Sequence, residues 1–126
     1  MRFRKIPQDL DCGIVITMMV IGSKWKPCIL DAIHRGYRRP SEIQRSIPAA
    51  APRVIEMQLR ELEQSGIVAK KIFPGKILRS EYSITPIGLT LMPLIKSIEK
   101  WGDDNRHILN IHAVGGARTG EREMID

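Results

Sequence analysis

Cysteine is scarce in this chain: Cys12 and Cys28 are its only two in 126 residues, too few for a disulfide scaffold at that length. His34, His107 and His112 have no cysteine or carboxylate partner at ligand spacing, so they read as surface or core histidines and no metal site is expected. There is no nucleophile–base pair, no paired carboxylates and no phosphate loop. Gly75-Lys76 lacks the rest of a P-loop. These absences argue against an enzyme, and no cofactor is expected. No stretch approaches the ~20 apolar residues of a membrane span; the longest run, Gly13 to Ile21, is about half that and suits a buried helix. The N-terminal MRFRKIPQDLD carries charge, but no apolar core of signal-peptide length follows it. The chain therefore reads as cytoplasmic and free of the membrane, with one domain over residues 1–110 and a C-terminal tail over 111–126.

What it does have is positive charge, a net +6 with a pI near 9.7. Such a balance suits an anionic partner, nucleic acid or an acidic membrane surface. Residues 23–46 hold six Lys/Arg against two acids and residues 70–82 hold four against one, whereas 85–110 balances at three against three. The charge lies on two separate stretches, which form one footprint only if the fold brings them to one face. Otherwise they are solvated surface.

The pattern of the chain is mainly helical. Asp11 to Ile21 reads as a helix, apolar on most sides and so buried or in an interface, and Gly22 ends it. Ser23 can cap a second helix that carries Pro27 in its first turn and Ile29, Leu30 and Ile33 as its inward stripe. Cys28 falls in that helix's interior pattern. Ser41 is an N-cap candidate for a helix of barely two turns, broken by Pro48. Ala49 to Ala51 make a turn, and Pro52 opens a longer helix to about Ser65. Short helix, tight turn and longer helix are the elements of a helix-turn-helix. On the longer helix, Ile55, Leu59 and Leu62 share one stripe; Arg53, Met57, Arg60 and Gln64 lie opposite, flanked by Glu56 and Glu63. Gly66 stops it. Ile67 to Phe73 and the run through Tyr82 and Ile84 suit two strands closed by PGKILR, a wing from which Lys76 and Arg79 project. Thr85-Pro86 then starts a helix expected to run to about Asn110, some ~37 Å at the helical rise, with Pro93 inside it as a bend. Its apolar positions, Ile87 to Trp101, exceed what one small domain covers, so a second copy is the natural partner. The fold class is thus mainly α with a small antiparallel β-hairpin, a winged helix-turn-helix with N- and C-terminal dimerisation helices at about 11–21 and 86–110. The tail from 111 shows no periodicity.

Several of these segments resemble the HxlR-type transcription regulators, a winged-helix branch near the MarR-like regulators. The resemblance is carried by Cys12, IGSKWKPCIL (21–30), RRPSEIQRSI (38–47), LRELEQSGIV (59–68), RSEYSITPIG (79–88) and LMPLIKSIEKWG (91–102), in the family's order and spacing. LRELE followed by EYSITPIG and a terminal WG is the specific part. It implies a DNA-binding homodimer of bacterial or archaeal origin, paired through its first and last helices. The chain departs from the pattern at three positions. Gly13 replaces the family's usual proline. Ala51 replaces a serine cap, at a cost of ~1 kcal/mol to the helix start. Met57 replaces a polar residue; it can meet a thymine methyl but cannot read guanine.

Double-stranded DNA is therefore the expected partner, on a pseudo-palindromic operator. Arg53 and Arg60 are candidates for groove contact, since arginine donates bidentately to guanine; alternatively they form surface pairs with Glu56 or Glu63. Ser41 and Gln44 suit phosphate contact, and Arg38 and Arg39 the backbone nearby. Lys76 and Arg79 form the wing; Arg79 matches a family position and Lys76 rests on charge alone. Several family members resemble one another in using the cysteine at position 12 to sense oxidants or electrophiles. Thiols at helix starts are generally more reactive, and Arg4 and Lys5 lie near in sequence. The competing reading of Cys12 is a small buried residue kept for packing. The alternative for the whole chain is a winged-helix protein-interaction module that does not bind DNA.

Overall fold

The computed structural model describes residues 11–111; the N-terminal Arg4 and Lys5 and the tail from His112 lie outside them. The element order is α1 (Gly13–Ile21), α2 (Lys26–His34), α3 (Pro40–Ser46), α4 (Pro52–Gln64), β1 (Val68–Phe73), β2 (Arg79–Ile84), α5 (Pro86–Leu89) and α6 (Met92–Asn105). This is mainly helical with one two-stranded antiparallel hairpin, the expected winged helix-turn-helix. No single helix among the described residues is long and apolar enough to cross a membrane.

The core is built from the stripes the sequence spaces. Ile29, Leu30 and Ile33 of α2, Ile43 of α3, and Ile55, Leu59 and Leu62 of α4 are all buried. Each such side chain contributes about 1.5–3 kcal/mol relative to exposure. Lys26, also buried, pairs its ammonium with the Glu61 carboxylate on α4 at 2.9 Å. In the hairpin, Val68 pairs with Ile84 and Lys70 with Tyr82; Val68 and Tyr82 are buried, so that face packs inward. The opposite face carries Lys71, Phe73, Arg79 and Glu81, by the alternation of a strand. The Tyr82 amide donates to the Arg38 carbonyl at 2.9 Å, which fastens the outer edge of β2 to the segment entering α3.

Several helix ends differ from what the sequence suggests. Ser23 does not cap α2: Trp25 is the N-cap residue and no side chain caps it. Ser41 does not cap α3 either. Pro40 takes the first turn, Arg39 is the cap residue, and the Glu42 carboxylate reaches back to accept from the Arg38 and Arg39 amides, both at 3.1 Å. A carboxylate is the stronger acceptor for orphan amides, and Pro40 has already fixed the helical φ one residue earlier. Gly22 ends α1 without a left-handed turn. There a Cβ would sit 2.2 Å from the Met18 carbonyl oxygen, so glycine is required by close approach. Cys28 is exposed rather than interior, because Ile29, Leu30, Ala32 and Ile33 fill the inward face of α2.

The largest difference concerns the C-terminal helix, which is not continuous. It breaks at Thr90 and Leu91, where the Thr90 and Leu91 amides donate to Ile87 and Gly88 in a tightened turn. The Thr90 hydroxyl also donates to Ile87. Pro93 has no N–H for the Leu89 carbonyl, so it cannot continue the ladder and instead falls in the first turn of α6. The 14 residues of α6 span about 21 Å, not the longer rod expected. The chain divides here into two compact units, one ending at Met92 and one beginning at Pro93. Within α6, Lys100 donates to Asp104 at 2.7 Å, and Leu94, Ile98 and Trp101 are exposed at helical spacing.

Thr85 joins hairpin to α5. Its hydroxyl accepts from the Gly88 amide at 3.1 Å and lies 2.7 Å from the Gly66 carbonyl, to which it donates. Gly88 is needed for the approach, because a Cβ there would come within 2.3 Å of the Ile67 carbonyl oxygen.

One buried polar atom is left over: Gln58 Oε1, on the inward side of α4, has no hydrogen-bond partner among the described residues. An orphan of this kind costs about 1–3 kcal/mol, as much as one buried aliphatic side chain contributes. Gln58→Met keeps the volume and removes the oxygen. It is expected to raise the urea unfolding free energy by about 1 kcal/mol; a lowered value would show that the amide is satisfied.

Candidate nucleic-acid interface

Burial of Ile55, Leu59 and Leu62 fixes the rotation of α4, so Arg53, Met57, Arg60 and Gln64 are all turned to solvent. Among the described residues no ion pair engages Arg53 or Arg60, and the surface pairing with Glu56 or Glu63 does not form. Ala51 is the N-cap of α4 and offers no side-chain acceptor; Pro52 has no amide N–H and the Val54 amide donates to the Ala51 carbonyl at 3.0 Å, so no side chain caps this helix start. Arg60 is electrostatically close to Tyr82 on the hairpin. Burial raises the Tyr82 phenol, the Glu63 and Glu56 carboxylates add to this, and Arg60 opposes it.

The two basic stretches, far apart in sequence, meet. Arg39 and Ser41 at the start of α3 face Ile77, Leu78, Arg79 and Ser80 of the wing across an open cleft of about 540 Å³. A second, smaller cleft, of about 200 Å³, brings Arg38 beside Lys71, Phe73 and Glu81. The Tyr82–Arg38 hydrogen bond explains the convergence, since it draws the α3 entry against β2. The wing's cations are organised on an aromatic ring: Lys71 and Arg79 each lie 5.2 Å from the Phe73 ring centroid, and Arg79 is 3.9 Å from Glu81. Gln44 is half-buried on α3, and Lys76 is exposed in the turn between the strands.

Cys12 stands apart from this surface. It is the N-cap residue of α1, exposed, and its carbonyl accepts from the Ile16 amide at 3.0 Å. In the single chain the thiol is thus exposed rather than buried. The rest of α1 is unusual in its own way: only Ile21 is buried, while Ile14, Ile16, Met18 and Met19 are exposed, Ile14 at 75 %.

Sequence reasoning passed over Phe73, Ile77 and Leu78. For the last two a signal existed: two adjacent aliphatics in a five-residue turn have no strand partner to pack against. Glu42 takes the capping role although the adjacent Ser41 carries the hydroxyl usual for it.

The HxlR-like helix-turn-helix family model matches residues 20–109. Among individual proteins, the uncharacterized HTH-type transcriptional regulator YybR of Bacillus subtilis (strain 168) is 34% identical over 110 residues, covering 87% of this chain and 88% of YybR. YkvN of the same organism, also described as an uncharacterized HTH-type transcriptional regulator, is 38% identical over 75% of this chain and 80% of its own. Among solved structures, the redox regulator HypR in its reduced form superposes with a TM-score of 0.71 at 36% identity, covering 75% of this chain and 94% of HypR.

The amide of Arg39 first, then that of Arg38 and the Arg39 and Arg45 charges, hold the Glu42 carboxyl below its ordinary value of 4.5 despite some desolvation. A group whose folded-state value is depressed stabilises the fold above its unfolded value and loses that contribution as pH falls through the folded one. The melting temperature of the wild type should therefore exceed that of Glu42→Gln at neutral pH, and the gap should narrow progressively as pH falls below 4.5. A gap independent of pH would mean the carboxylate charge plays no part in the cap.

Proposed function

Because the chain belongs to the HxlR-like helix-turn-helix family, we propose that it works as a homodimer bound to a pseudo-palindromic operator, with its affinity changed by an oxidant, an electrophile or a small ligand. It is a transcriptional regulator of helix-turn-helix type. The observation that carries the DNA-binding reading is the convergence of Arg39 and Arg79 on one cleft, in a chain whose α4 also turns Arg53, Met57 and Arg60 to solvent. In this reading Arg53 and Arg60 enter the major groove, Met57 meets a thymine methyl, and the uncapped start of α4 receives a phosphate. Arg38, Arg39, Ser41 and Gln44 hold the backbone, and Lys76 and Arg79 extend the contact along the wing.

The dimer is supported by α1. Four exposed large apolar side chains on a nine-residue helix are more apolar surface than a lone protein in water usually leaves open. A second copy covers it, with α6 offering Leu94, Ile98 and Trp101 as a further apolar row. Two α4 helices related by a two-fold axis then require a pseudo-palindromic site. The modulation rests on Cys12, exposed at the start of the helix assigned to the interface, and on the likeness to HypR, described as a redox regulator. Oxidation of this thiol would change the packing at α1 and with it the spacing of the two α4 helices. Such a regulator works in the cytoplasm, as a binding protein rather than an enzyme.

A mobility-shift titration on the DNA upstream of the protein's own gene, at two salt concentrations, tests the reading. Affinity should fall steeply with salt as phosphate counterions are released; no shift at low salt would leave the protein-interaction module as the better description. In the same assay Arg53→Ala should cost the specific duplex ~1–3 kcal/mol, whereas Lys76→Ala should weaken all duplexes alike.

Cys12→Ser should bind DNA as the wild type does but no longer respond to diamide or hypochlorite. An undiminished response would clear Cys12 of sensing.

A further inference from the structure

We propose that the wing tip is a minor-groove wedge: Ile77 and Leu78 press between base pairs while the adjoining phosphodiester lies in the cleft between Arg39 and Arg79. The proposal rests on the DNA-binding reading and extends it from charge contact to reading of duplex deformability. Ile77 is 83% exposed and Leu78 72%, side by side in the turn between β1 and β2. Burying such side chains is favourable, so two of them side by side at a tip suit a surface that covers them in a complex. The charge around them says which surface. Lys76 precedes them in the turn, and Arg39 and Arg79 line the same cleft, cations suited to a polyanion and not to an apolar protein face.

The cleft supplies both halves of what a sugar–phosphate strand requires. Arg39, Ser41, Arg79 and Ser80 offer charge-assisted and hydroxyl hydrogen bonds for phosphate oxygens, and Ile77 and Leu78 offer apolar wall for deoxyribose. Arg79 is held in place by the Phe73 ring at 5.2 Å and by Glu81. Its guanidinium therefore fixes how deep the neighbouring Leu78 can reach. Aliphatic wedges inserted from the minor groove unstack a base step and kink the duplex. The cost is least at the flexible pyrimidine–purine steps TA and CA/TG. The wing thus selects a flexible step outboard of each half-site without hydrogen-bonding a base.

The test is selection from a random-sequence duplex library with wild type and with the double variant Ile77→Ser/Leu78→Ser, both positions being exposed. Wild type is expected to enrich two dyad-related half-sites and a pyrimidine–purine step outboard of each. The variant is expected to keep the half-sites and lose the outboard step. Its preference for TA over GC at that position should fall from about tenfold to none. A 2-aminopurine beside the step should brighten when wild type binds and stay dark with the variant. If the variant keeps the outboard preference and the fluorescence rise, the wedge is overturned and the DNA-binding reading stands. If the variant loses its dimer on gel filtration, the tip belongs to a protein interface and the wedge is likewise overturned. If wild type enriches no half-site, the DNA-binding reading fails and takes the wedge with it.

Discussion

The burial of one face of α4 sets everything that follows in this molecule. Ile55, Leu59 and Leu62 enter a core made by Ile29, Leu30 and Ile33 of α2 and Ile43 of α3, and the three stripes leave α4 one rotational setting. A turn of the helix by one residue, about 100°, would expose a leucine and bury an arginine. The presentation of Arg53, Met57 and Arg60 follows from aliphatic packing on the other side of the helix rather than from any interaction of their own. Lys26 and Glu61 add a directional constraint to this non-directional one. A buried ammonium without its carboxylate is expensive, so the pair is more a device for fixing the register of α2 against α4 than a source of net stability.

A second constraint fastens the wing. The hairpin is anchored at its base by the inward Val68 and Tyr82, at its edge by the Tyr82–Arg38 hydrogen bond, and at its exit by Thr85 and Gly88 against the 66–67 carbonyls. Those three attachments bring the start of α3 to the side of β2, and two segments separated by a whole helix-turn-helix come to share a cleft. The tip beyond Phe73 has no such attachments. It is where Ile77, Leu78 and Lys76 stand free of the core, as a surface meant for something outside the chain would.

Much of this was legible in order of residues because local physics dominates there. Pro52 after Ala51, Gly66 after the last apolar position, and the alternation through Val68 to Phe73 and Arg79 to Ile84 act within one or two turns of chain, and the elements appear where they indicate. The misreadings arose where two local signals competed. Ser41 and Glu42 both offer a cap, and the carboxylate wins because Pro40 has already started the helix. At Pro93 the apolar spacing continues through the residue while the backbone cannot; the missing N–H wins, and α5 ends before α6 begins. Cys28 falls outside the core because one helical turn has two flanks, and only the neighbouring stripes decide which is covered.

The sequence by itself determined the class of the protein: its charge, the stripe on α4, the hairpin, and the family to which 20–109 belongs. These depend on periodicity and on residue chemistry, which are properties of the chain written in a line. Only the tertiary structure decided that Arg39 meets Arg79, that α1 shows its apolar side to solvent, and that Gln58 is buried with an unmatched oxygen. Those are relations between segments tens of residues apart. They are fixed by how several partly apolar faces divide one small core among them, and no single segment carries that division in its own pattern.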